Sequence, residues 1–84
     1  MASLDYSKLR SLTARTLIRA LEQEGFRRVR RSGSHYRYRH PDGRRVTVTF
    51  HSPGETFKLG TLKSMIELQA QWTEADLKRL KLLK

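Results

Sequence analysis

Three histidines and no cysteine are available for proton transfer or nucleophilic work in this 84-residue chain. Two of them, His35 and His51, bracket a stretch in which Tyr36-Arg37-Tyr38-Arg39 and later Val46-Thr47-Val48-Thr49-Phe50 alternate between two residue classes. An imidazole titrates near neutrality, so it can accept a proton at one step and return it at another. Beside arginines, that chemistry suits a substrate carrying its own nucleophile. A base removes the proton of an RNA 2′-hydroxyl, which attacks the adjacent phosphate, while an acid protonates the departing 5′-oxygen and cations steady the added negative charge. The same histidines also fit solvated or phosphate-binding side chains, and residue type alone leaves those alternatives open. His40, next to the turn residue Pro41, is expected to be structural.

Other chemistries find little support. There is no Gly-rich phosphate loop, no His-x-x-x-His pair and no acidic cluster suited to magnesium. With no Cys and no recognisable triad, covalent catalysis by the protein is disfavoured, and no metal site or small-molecule cofactor is expected.

Charge points to the partner. Lys and Arg total 18 against 8 Asp and Glu, a formal net charge of +10, which favours polyanions through long-range attraction and counterion release. The excess is concentrated. Arg27, Arg28, Arg30, Arg31, Arg37, Arg39, Arg44 and Arg45 face one acid, Asp42, so this stretch holds +7 of the total (eight minus one). The apolar residues Val29, Tyr36, Tyr38, Val46, Val48 and Phe50 interrupt the arginines, a pattern of a folded sheet rather than a disordered arm. No apolar run approaches the roughly 20 residues of a spanning helix, and the start, Met1 to Tyr6, lacks the basic and apolar regions of a signal peptide. A cytoplasmic protein with no membrane association is expected. At this length one domain over residues 1–84 and a thin core are expected.

The elements that position these residues follow from spacing. Ala14, Leu17, Ile18 and Leu21 repeat on one helical face, predicting a helix over about 13–24 with Thr13 or Ser11 as cap and Gly25 as stop. Residues 1–12 show no clean period, although Leu9 and Leu12 can dock on the core. Phe26–Arg31 reads as a first strand, broken by Ser32-Gly33-Ser34. His35–Arg39 and the segment through Val46, Val48 and Phe50 form a hairpin around His40-Pro41-Asp42-Gly43-Arg44. A three-residue loop with Gly43 in a left-handed bulge sets residue 40 opposite 44, Tyr38 opposite Val46 and Tyr36 opposite Val48, so the apolar faces coincide. A two-residue loop would mismatch them. Core packing is therefore favoured for the two tyrosines over base stacking. The opposite face then carries His35, Arg37, Arg39, Thr47, Thr49 and His51, with His35 diagonal to His51 at roughly 7–8 Å.

Leu62, Met65, Ile66 and Gln69 or Ala70 predict a second helix opening near Gly60-Thr61, where free amides flanked by Lys58 and Lys63 either hold a phosphate or form an ordinary cap. Thr73 with Asp76 predicts a capping box for a third helix, stapled by Trp72 on Leu77.

The ordered set Glu24-Gly25-Phe26, Gly33-Ser34-His35, Pro41-Asp42-Gly43-Arg44-Arg45-Val46-Thr47-Val48, His51 and Gly60-Thr61-Leu62 resembles the HicA (YcfA-like) mRNA interferase toxins of bacterial toxin-antitoxin systems over roughly residues 13–70. The resemblance implies an α+β, double-stranded-RNA-binding-domain-like fold: α-β-β-β-α with helices on one face of a three-stranded antiparallel sheet, here followed by an additional C-terminal helix. It implies metal-independent RNA cleavage with His35 as the catalytic residue, and a HicB-like antitoxin that covers the active surface. Family members often carry proline where this chain has Thr49. Combined with the charge pattern, the candidate set is His35 and His51 for catalysis, and Arg28, Arg30, Arg31, Ser34, Arg37, Arg39, Lys58, Thr61 and Lys63 for RNA.

Overall fold

The computed structural model of the chain describes residues 6–83. The expectation for the opening residues Met1 to Tyr6 lies outside the described residues except at Tyr6.

The first helix, α1 (Ala14–Glu24), forms as its spacing predicts. The Thr13 side chain accepts a hydrogen bond from the Thr16 amide at 3.3 Å, and Gly25 closes the helix with φ of 107°. The Gly25 amide bonds Glu22 O at 3.1 Å and the Phe26 amide bonds Leu21 O at 2.9 Å, so the last carbonyls are satisfied by a Schellman pattern.

Three strands follow in a simple antiparallel meander, β1 (Arg27–Ser32), β2 (His35–Arg39) and β3 (Arg45–Thr49), with β2 in the centre. The β2–β3 register is the one dictated by a three-residue loop: Tyr38 pairs with Val46, Tyr36 with Val48 and His35 with Thr49. His40 and Arg44 close that loop at 2.9 Å and Gly43 has φ of 100°. In β1 the expectation of Phe26–Arg31 shifts by one residue, because Phe26 turns into the core at 1% exposure. A bulge at Val29 accounts for its weak alternation, since Arg28 pairs with Tyr38 but Arg30 already pairs with Arg37.

The second helix opens at Leu59, one residue before the expected Gly60-Thr61. It runs as α2 (Leu59–Lys63) and then widens into a π-helical segment, Ser64–Gln69. The third, α3 (Glu74–Arg79), carries the expected capping box, with Thr73 N–H donating to Asp76 Oδ2 at 2.9 Å and Asp76 N–H donating to Thr73 Oγ1 at 3.3 Å. Leu17, Leu21, Tyr38, Val46, Val48, Met65, Ile66, Trp72 and Leu77 all belong to one buried cluster between helices and sheet. The apolar residues of the N-terminal segment join it: a 3₁₀ turn over Tyr6–Leu9 buries Tyr6 and Leu9, Leu12 follows, and the Tyr6 hydroxyl donates to Glu67.

The β2–β3 turn is tied to both neighbouring helices. The His40 ring packs edge-on against Phe26 with centroids 5.0 Å apart, its Nε2 bonds Glu24 O at 2.9 Å and its Nδ1 accepts the Asp42 amide at 3.1 Å. His40 is thus structural, as expected. Arg44 lies over the same Phe26 ring, pairs with Asp42 at 2.7 Å and donates to Ala70 O at 2.6 Å.

Gly25 is required twice here. Its φ lies in the left-handed region, and a Cβ would meet His40 Nε2 at 3.1 Å. Gly25→Ala should lower stability by at least about 1–2 kcal/mol, read as a fall in the urea midpoint, and His40→Ala in the same chain should recover part of that loss. An unchanged midpoint would remove the close approach as a constraint.

Candidate nucleic-acid interface

Alternation along β2 sends Tyr36 and Tyr38 towards the helices and His35, Arg37 and Arg39 to the open face. Carried across the sheet, the pairing sets up three rows on that face. Ser32, His35 and Thr49 form one; Arg30, Arg37 and Thr47 the next; Arg27, Arg39 and Arg45 the third. His35 is exposed, and among the described residues no hydrogen bond or ion pair engages its ring.

Two features fix the His35 end. Between β1 and β2, Ser32 and His35 flank the two-residue turn Gly33-Ser34, in which the first central residue alone has positive φ, 58°, the type II′ pattern that glycine admits. Ser34 is half-buried and its carbonyl accepts the Phe50 amide at 3.1 Å, extending the pairing one step past β3. Beneath His35, on the helix side, the Tyr36 ring stacks on Phe50 with centroids 4.3 Å apart and carries the Arg31 guanidinium 4.8 Å from its centroid. Arg31 Nε also donates to Gly33 O at 3.2 Å, so the turn and the stack hold one another.

The candidate residues therefore divide. His35, Arg30, Arg37 and Arg39 share the open face. Arg31 sits over Tyr36 on the helix side, and Arg28 lies with Glu22 and Tyr38 around a cleft there, because the Val29 bulge reverses the parity of β1. His51 falls beyond the end of β3, in a turn where Glu55 accepts its amide at 2.5 Å and that of Ser52 at 2.6 Å. Lys58 and Thr61 are exposed at the start of α2, whose first amides have no side-chain cap, and the Lys63 ammonium lies 5.7 Å from the Tyr6 ring centroid. Spacing alone missed Arg27, Arg45 and Val29. Arg45 follows from the hairpin register, which sets it opposite Arg39, whereas Arg27 and Val29 depend on the bulge.

The open face is electrostatically unbalanced. Arg27, Arg30, Arg37, Arg39 and Arg45 have no hydrogen bond or ion pair among the described residues, while the acids nearest in sequence are engaged elsewhere: Asp42 with Arg44, and Glu24 with Arg79 at 2.9 Å. Like charges directly opposite on neighbouring strands are destabilising. Val29, Arg30, Arg37, Arg39, Arg45 and Thr47, with Tyr38 and Val46 of the same strands, line a shallow cavity of about 360 Å³ on this face. Val29 is 62% exposed within it. The edge beyond β3 is closed, since Gln69 Oε1 accepts the Thr47 amide at 2.8 Å and Gln69 Nε2 donates to Ser64 at 2.9 Å.

A family model described as the HicA toxin of bacterial toxin-antitoxin matches residues 14–72. Comparison with curated proteins finds no match. The helix, three antiparallel strands and following helices agree with the double-stranded-RNA-binding-domain-like layout of that family.

Two measurements test this geometry. Arg39→Gln removes the central charge of a three-arginine row and should raise stability by about 0.2–1 kcal/mol at low salt, with the gain shrinking in 1 M salt as screening takes over; a loss of stability would show that the row is not repulsive. The Ser52 and His51 amides hold the Glu55 carboxyl below its ordinary range, so its contact is present above that range and lost as pH falls through the lowered value. Hydrogen exchange at Ser52, corrected for its intrinsic pH dependence, should lose protection on acidification in the natural chain and lack it at every pH in Glu55→Ala, which removes the acceptor.

Proposed function

The chain belongs to the HicA toxin family of bacterial toxin-antitoxin systems, and from that membership we propose that its toxic act is metal-independent cleavage of RNA at the open face of the sheet. The observation that carries this reading is His35: an exposed imidazole with no intramolecular partner among the described residues, in the row next to Arg30 and Arg37.

In this mechanism a phosphate of the RNA backbone docks among the guanidinium groups, which offer paired donors suited to phosphate oxygens. Neutral His35 takes the proton of the neighbouring 2′-hydroxyl, whose oxygen attacks phosphorus. The bond to the 5′-oxygen breaks and that oxygen receives a proton, leaving a 2′,3′-cyclic phosphate and a 5′-hydroxyl end. The arginines hold the extra negative charge as the phosphorane forms. His51, in the loop beyond Thr49, is the candidate for the second proton carrier. Arg30, Arg37 and Arg39 supply the phosphate contacts, with Ser34, Lys58, Thr61 and Lys63 extending the cationic and hydrogen-bonding border.

The same reading makes the natural partner a HicB-like antitoxin that covers this face, and the compartment the cytoplasm. No described helix is long and apolar enough to cross a membrane.

His35→Ala should reduce cleavage of a single-stranded RNA in EDTA by about 10²–10⁴-fold, with the thermal transition and most RNA affinity retained, because the exposed ring has no hydrogen bond or ion pair to lose among the described residues. Product ends from the natural chain should be 2′,3′-cyclic or 3′-phosphate. RNA that stays intact at every protein concentration, yet is bound, would replace this reading by that of an RNA-binding module on the same arginines.

A further inference from the structure

The three rows on the open face are spaced two residues apart along β2 and β3, which is about 6.5–7 Å. That spacing is of the same order as the separation of consecutive phosphates in an extended single strand of RNA. The rows differ in chemistry in a consistent order: His35 at one end, Arg30 and Arg37 in the middle, Arg27, Arg39 and Arg45 at the far end. No acidic residue is among the cavity's lining side chains.

The middle and far rows enclose something that phosphate alone does not explain. The Val29 bulge presents an apolar side chain, 62% exposed, to a cavity of about 360 Å³ walled by guanidinium groups. Guanidinium planes and an aliphatic floor favour a flat apolar partner, and the planar face of an unstacked nucleobase is the partner that comes attached to phosphates. A duplex hides those faces in its own stack and offers only its backbone and groove edges.

We propose that the open sheet face is a linear track for single-stranded RNA, in which the phosphate to be cut lies at the His35 row and the flanking nucleotides on one side lie over the arginine rows, one base seated against Val29. This deepens the ribonuclease reading and rests on it for the identity of the ligand. Arg39 and Arg45 then act as binding residues for a neighbouring nucleotide, away from the reacting atoms. The face becomes selective for unpaired RNA, and the three-arginine row is relieved of its mutual repulsion when nucleic acid is bound.

The test measures binding rather than cutting, using the full chain and a fluorescein-labelled 2′-O-methyl RNA dodecamer that has no free 2′-hydroxyl to react, either single-stranded or annealed to its complement. Fluorescence anisotropy should show the single strand bound at least about tenfold tighter than the duplex, and Arg39→Ala and Arg45→Ala should each weaken it by about tenfold, as expected for loss of a charge-assisted contact. Val29→Ser should weaken it without any change in charge. Arg19→Ala, which removes the same charge from the exposed side of α1, should stay within twofold. Equal losses at Arg19 and Arg45, or a duplex bound as tightly as the single strand, would overturn the track. If the binding pattern holds but the natural chain cuts no RNA, the ribonuclease reading fails and the track stands; if His35-dependent cutting holds while binding ignores Arg39 and Arg45, the track fails alone.

Discussion

Side chains alternate across a strand, so the residues a central strand buries dictate the residues it displays. β2 is governed by that coupling. Once the three-residue turn sets Tyr38 against Val46 and Tyr36 against Val48, His35, Arg37 and Arg39 have no choice of face. A slip of one residue would send three charged or polar groups into the core and both tyrosines to solvent. The protein guards the register at both ends of the hairpin. At one end, His40, Asp42 and Arg44 fasten the turn to the carbonyls that finish α1 and the π-helical segment. At the other, the Arg31–Tyr36–Phe50 stack lies directly under the Gly33-Ser34 turn. The site thus stands on a hydrophobic arrangement that would be needed for folding whatever the outer face did.

The outer face contributes nothing comparable to stability. Five arginines are gathered there without a carboxylate to answer them among the described residues, whereas Arg44 and Arg79, which hold the fold together, are both paired with acids. The contrast separates structural from functional cations. Arg44 lies half-buried, bridges three elements and covers an aromatic ring; Arg37 and Arg39 stand in solvent beside one another. Such a surface favours polyanions and acidic partners through its field alone.

Most of the architecture was legible because it rests on local rules. The α1 cap at Thr13 and stop at Gly25, the hairpin register through Gly43 and the Thr73–Asp76 box are all decided by residues within a few positions of one another. Arg44 in the same turn looked like its neighbour Arg45; only the docking of Ala70 and Glu24 from distant parts of the chain distinguishes a bridge from a surface charge. β1 was harder still. Its bulge depends on pairing with β2, and that one extra residue puts Arg28 and Arg31, which strict alternation would place on opposite faces, together on the helix side, with Val29 exposed between them. The widening of the second helix after Lys63 escaped notice for a related reason: the i to i−5 bond from Ala70 to Met65 coincides with Gln69 reaching the edge of β3, a tertiary contact. Tyr6, Leu9 and Leu12 recur at every third residue, the pitch of a 3₁₀ turn, but a single turn over Tyr6–Leu9 closed by the Leu12 amide on Leu9 O is too short for a period to stand out.

The two borders of the sheet have been treated differently, with consequences for crowding. Along β3 the π-helical segment shuts the border by lending a glutamine to the Thr47 amide. Along β1 the border is left open, yet its kink at Val29 breaks the row of evenly spaced donors and acceptors, and four of its six residues are arginines. A second molecule approaching edge to edge would bring cation against cation across a misaligned ladder. Open-ended stacking of copies into fibres is discouraged by these charges, so the same arginines that leave the sheet face strongly cationic also keep one copy from pairing its border with the next.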